Sequence, residues 1–77
     1  MRSYETVICI RSGKIHIDDP WSMPYKWDKG WTLCGCAWDL QRNWIKGETT
    51  EGSKLHEEYR RNPEGVCYNC LLQAGLV

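Results

Sequence analysis

Three observations predict an α+β fold for this chain. β-Branched residues flank a Ser12-Gly13 dipeptide near the start, which is the pattern of a hairpin. Near the end, a Cys-x-x-Cys spacing at Cys67 and Cys70 leads into the apolar Leu71-Leu72, where a turn feeds a short helix. Between them lie further cysteines, five in all among 77 residues. A domain of this length has a core that rarely contributes more than ~3–5 kcal/mol, so a staple made from those cysteines is expected. One domain over residues 1–77 is the economical organisation, since no repeat, low-complexity tract or linker interrupts the chain.

The first element, residues 4–18, reads as a β-hairpin. With Ser12 and Gly13 as the two loop residues, Ile10 would face Ile15, Cys9 would face His16 and Ile8 would face Ile17. Alternation then places Thr6, Ile8, Ile10, Ile15 and Ile17 on the core face, and Val7, Cys9, Arg11, Lys14, His16 and Asp18 on the other. Asp18-Asp19-Pro20 ends the hairpin, and the following loop to Gly30 contains two prolines, Pro20 and Pro24, and the aromatics Trp21, Tyr25 and Trp27. A second extended stretch is predicted over residues 31–44, interrupted by Gly35. After a polar connector, Ser53 is the expected N-cap of a helix over 54–61, stopped by Asn62-Pro63. Only Leu55 and Tyr59 are apolar at i, i+4 spacing there, so this helix belongs on the surface. A last helix is predicted over 67–74, ending at Gly75.

The cysteines can be used as disulfides or as metal ligands. The N-terminal residues show no secretory apolar region, and no stretch approaches the ~18 apolar residues of a membrane span. A cytoplasmic, non-membrane protein is therefore expected, with thiols kept reduced. An odd number of cysteines also suits a metal centre with one spare. Zn²⁺ is the expected ion, because thiolates three residues apart on a turn project to one side and form half of a tetrahedral site. The start of the following helix adds N–H donors and a positive dipole end, which favour thiolate over thiol. A redox Cys-x-x-Cys would need a βαβ setting, and no strand and helix follow Cys70. The other two ligands are to be drawn from Cys9, His16, Cys34, Cys36 and His56.

Lys14-Ile15-His16-Ile17, Thr32-Leu33-Cys34-Gly35 and Cys67-Tyr68-Asn69-Cys70-Leu71 occur in that order. In this the chain resembles small zinc-finger-like proteins of actinobacteria and their phages, over residues 14–72. The resemblance implies a zinc site of His16, Cys34, Cys67 and Cys70, and a phage-encoded protein working in the host cytoplasm. The architecture then expected is a zinc-stabilised α+β domain of zinc-ribbon or treble-clef-like type. Its parts are an N-terminal hairpin, further strands, a short surface helix and a C-terminal helix after the Cys-x-x-Cys. Two departures leave the ligand set open. Cys36 follows Cys34 by two, which allows a set of Cys34, Cys36, Cys67 and Cys70, and Cys9 would lie beside His16 in the hairpin above. Gly35 argues for Cys34 with His16, since a Cys-Gly turn brings backbone N–H groups to the sulfur and carries Cys36 away.

Cys9, within an apolar run, reads more simply as a core thiol, and His56 as a solvated helix residue. Four protein ligands would close the metal's coordination, and no nucleophile–base pair or phosphate loop is visible, so an enzyme is not expected. Five tryptophans and no phenylalanine leave aromatic surface to spare beyond a small core. Trp21, Tyr25 and Trp27 are accordingly the candidate surface for a protein partner. Ten Lys and Arg balance ten Asp and Glu, which gives no support to nonspecific phosphate binding. Nucleic acid is the alternative partner, through Arg42, Lys46, Arg60 and Arg61 if these gather on one face.

Overall fold

The strands of this chain are short, two to four residues each, and both hairpin and long-range pairings join them. The computed structural model describes residues 2–21 and 28–77. Its strands are β1 (Ser3–Tyr4), β2 (Thr6–Cys9), β3 (Ile15–Ile17), β4 (Lys29–Trp31), β5 (Ala37–Asp39), β6 (Trp44–Lys46) and β7 (Thr50–Glu51). Two helices follow, α1 (Gly52–Arg61) and α2 (Tyr68–Gln73), separated by a 3₁₀ turn at Pro63–Gly65. The strands form an antiparallel sheet in the order β3-β2-β6 and two antiparallel pairs, β1-β7 and β4-β5. The predicted α+β class, with hairpin, further strands, a short helix and a C-terminal helix after the Cys-x-x-Cys, describes this architecture.

The first hairpin differs from its expected register. Val7, not Cys9, stands opposite His16, and Ile8 stands opposite Ile15. The loop is four residues long: Cys9 N–H donates to Lys14 O at 3.0 Å and Gly13 N–H to Cys9 O at 2.7 Å. A two-residue type I′ loop needs φ > 0 at both positions, and only Gly13, at +75°, takes it. Because the shift is by two residues, every side chain keeps its expected face. Ile10, however, leaves the apolar row for the turn and is 58% exposed. The opposite face is not open either, since Val7 is fully buried and Trp44 packs edge-on against His16, centroids 5.1 Å apart.

The stretch expected to run extended over 31–44 is three short strands with two turns. Thr32 N–H donates to Cys36 O and Gly35 N–H to Thr32 O, closing a knuckle between β4 and β5. Asp39 closes the second turn, accepting Gln41 N–H at Oδ1 and Arg42 N–H at its carbonyl, and Asn43 completes it at φ 65°. Trp38 is buried within this hairpin, opposite Gly30, and its Nε1–H donates to Asp18 Oδ1 at 2.9 Å.

α1 begins earlier than expected. Glu51 is its N-cap, without a side-chain cap, and Ser53 lies within the first turn. The cause is β7: Glu51 pairs with Ser3, and Gly52 N–H donates to Arg2 O, so the strand passes straight into the helix. Leu55 faces inward into a core of Ile17, Val66, Cys67, Cys70 and Leu71, Tyr59 packs against that core one turn later, and Ser53, Lys54, Glu57, Arg60 and Arg61 face solvent. α2 ends as the glycine predicts. Gly75, at φ +75°, sends its N–H to Leu72 O, and Leu76 N–H reaches Leu71 O, a Schellman closure that seats Leu76 against the core.

Candidate metal centre

Three separate segments deliver side chains to one buried point. β3 carries His16, the knuckle after β4 carries Cys34, and the turn into α2 carries Cys67 and Cys70. The last segment is tied to β3 by its backbone: Cys67 N–H donates to Ile15 O at 2.9 Å, and Ile15 bridges Val66 in parallel. Cys67 is the N-cap of α2 and Cys70 lies in its first turn, so both sulfurs face the strand edge. Among the described residues, one ligand atom from each of His16, Cys34, Cys67 and Cys70 lies within 4.8 Å of all the others.

Two of the six donor–donor edges match those of a tetrahedral ion. Bonds of about 2.3 Å to sulfur and about 2.1 Å to nitrogen, at the tetrahedral angle, require N···S edges of about 3.6 Å. His16 Nδ1 lies 3.5 Å from Cys34 Sγ and 3.7 Å from Cys70 Sγ. One imidazole and three thiols, three of the four residues buried, form a soft donor set that can hold a metal ion.

Electrostatics around the four groups is uneven. Burial, with Lys14 nearby, lowers the His16 pKa, so its imidazole is neutral and its lone pair is free at neutral pH. Burial works against ionisation of Cys34. The Thr32 hydroxyl, 3.0 Å from Cys34 Sγ, and the Cys36 backbone N–H outweigh it and hold this thiol below its ordinary value. The glycine turn thus brings backbone to the sulfur as expected, at Gly35 φ +91°. Cys70 departs from expectation. With no exposure, burial pushes its thiol up to about 12, so the start of α2 does not by itself secure a thiolate there.

The other candidates fall outside this group. Cys36 is exposed, with its sulfur 3.7 Å from that of Cys34. Cys9 pairs with Trp44 and sits at the hairpin turn, where Ser12 backbone N–H lowers its pKa. His56 lies on the half-buried flank of α1. Trp21 is 83% exposed, whereas Tyr25 and Trp27 lie outside the described residues. Arg42, Lys46, Arg60 and Arg61 are all exposed, and two have local engagements: Lys46 Nζ stands over the Trp38 ring and Arg61 is 3.8 Å from Glu58.

Sequence reasoning passed over two parts of the site. Thr32 organises the knuckle through both its hydroxyl and its backbone, with Cys36 N–H donating to Thr32 Oγ1 at 3.0 Å. Its signal was a threonine two residues before a cysteine, where a hydroxyl can reach the sulfur. Trp44 orients His16 from another strand, and no local pattern announces that pairing. No described helix is long and apolar enough to cross a membrane. Comparison of the chain with family models, curated proteins and solved structures gives no match, so the assignment rests on the side chains themselves.

Proposed function

We propose that this chain is a small structural-zinc module, with Zn²⁺ held by His16, Cys34, Cys67 and Cys70, and that it acts by binding a protein partner. The observation that carries the metal reading is the pair of N···S distances, 3.5 and 3.7 Å, against the ~3.6 Å edge of a tetrahedral zinc centre. Zinc would contribute a Lewis-acidic anchor that keeps three thiolates together. Cys34, Cys67 and Cys70 supply those thiolates, and His16 adds Nδ1 with its proton on Nε2. Four protein ligands fill the coordination, which favours a binding module over an enzyme.

The partner reading rests on Trp21, which stands 83% exposed at the start of the Trp21, Tyr25, Trp27 segment. Exposed indoles of this kind anchor protein interfaces through large area at low entropic cost. A phage accessory role in a host cytoplasm is supported by the order and spacing of the three quoted motifs alone. DNA binding is the second reading, and the engagement of Lys46 by Trp38 and Arg61 by Glu58 weakens it.

Co²⁺ substitution tests the metal reading. A tetrahedral ligand-field spectrum with three-thiolate charge-transfer intensity is expected at one ion per chain, and His16→Ala is expected to change it without lowering the thiolate count. An octahedral spectrum, or no uptake, overturns the reading. For the partner, duplex DNA titrated at low salt is expected to show no binding, and a steep salt-dependent affinity would favour the second reading.

A further inference from the structure

We propose that Cys36 is a resolving thiol for Cys34, which makes peroxide-driven loss of the metal reversible. The proposal rests on the metal reading above. The geometry supports this pairing: Cys36 Sγ lies 3.7 Å from Cys34 Sγ, on the exposed side of the knuckle. Cys36 is exposed and outside the four-residue group, so it is free to react while the metal is bound. Cys67 and Cys70 are buried, which shields them from a solvent oxidant. Beyond its chain neighbours, no residue comes within 4 Å of the Cβ position of Gly35, so nothing else crowds the turn as the two sulfurs close to the ~2.05 Å of a disulfide.

A metal-bound cysteine is a thiolate, the nucleophilic form. Hydrogen peroxide, or another hydroperoxide, is the oxidant. Cys34 sulfur attacks one peroxide oxygen, the O–O bond breaks, and hydroxide leaves, giving Cys34 sulfenic acid. The Cys36 thiol then attacks that sulfur; the S–O bond breaks, and the departing hydroxide takes the Cys36 proton as water. The sum is two electrons from two sulfurs to one peroxide. The metal loses Cys34 as a ligand and is released. Without Cys36, sulfenic acid proceeds to sulfinic acid, which thiols do not reduce.

The zinc-loaded full chain and Cys36→Ser, each with its zinc content measured first, are treated with hydrogen peroxide and then with dithiothreitol and fresh zinc. The parent chain is expected to release zinc, to show a Cys34–Cys36 disulfide by peptide mass mapping, and to regain its metal. Cys36→Ser is expected to release zinc with two oxygens added at Cys34 and to regain several-fold less. Equal recovery by the two chains, or a parent disulfide joining Cys67 to Cys70, overturns the proposal. A chain that binds no zinc yet forms the Cys34–Cys36 bridge overturns the metal reading while supporting the thiol pairing.

Discussion

His16 Nδ1 and Cys70 Sγ, 54 positions apart in the chain, lie 3.7 Å from each other in the buried centre of the fold. A bare imidazole and thiol at that distance gain little, and the same geometry with an ion between them is worth far more. Apparent binding free energies of structural zinc in small domains reach ~10–16 kcal/mol at neutral pH, comparable to the whole stability of a domain. Cys70→Ser should therefore abolish the ordered fold, read as loss of near-ultraviolet circular dichroism and of zinc content. A strong chelator should do the same to the parent protein. Retention of the native spectrum after chelation would show that the core alone suffices.

Metal uptake should be proton-coupled with a definite sign. Burial at its position pushes the Cys70 thiol up to about 12, so metal uptake at neutral pH must expel its proton. Apparent affinity should rise with pH through the neutral range, measured by chelator competition. Calorimetry in buffers of different ionisation enthalpy should register proton release.

On the acid side the relevant group is His16. Its folded pKa is lowered, so the folded chain binds this proton less tightly than the unfolded one. The stability it contributes is present above its unfolded value of about 6.5 and is lost as pH falls through the lowered one. The thermal midpoint should accordingly drop on acidification below about pH 6.5.

Thr32→Val keeps the shape of a side chain that is 2% exposed and removes the hydroxyl that serves both Cys34 Sγ and Cys36 N–H. A loss of about 1 kcal/mol is expected, since a part-buried N–H is left unpaired and the Cys34 sulfur loses a donor. Zinc competition should show weaker binding with the thiolate count unchanged.

Trp38→Phe tests the contact that pins the β4–β5 hairpin to the strand bearing His16. It leaves Asp18 Oδ1 without its donor at a buried position, where burial already raises the carboxyl's pKa. Thermal or urea unfolding should show about 1–3 kcal/mol of destabilisation. Asp18→Asn in the same background should recover part of it, because a neutral side chain costs less to leave unpaired.

What could be read in advance was local. The Cys67–Cys70 turn, the Gly75 stop and the β-character of residues flanking Gly13 all follow from patterns within a few positions, and the structure contains each. The hairpin register was missed because it hangs on which turn residue takes positive φ, and Ser12 does not. The extended reading of 31–44 failed because Thr32 and Asp39 spend their side chains on turns. The start of α1 was misplaced because a strand pairing between Glu51 and Ser3, far apart in sequence, overrides a serine's capping preference. The four residues named together from motif resemblance do converge, whereas the surface offered by Trp21, Tyr25 and Trp27 is described only at its first residue.

The parallel bridge between Ile15 and Val66 sets an order on folding. The β2–β3 and β4–β5 hairpins close short loops and can form in microseconds without help. Docking Val66 beside Ile15 closes a long loop across the centre, and under the proposed metal reading part of its entropy is offset when the sulfurs of Cys67 and Cys70 meet an ion held at His16 and Cys34. On that reading, assembly of this domain is a bimolecular event in disguise, and its rate should rise with free metal concentration.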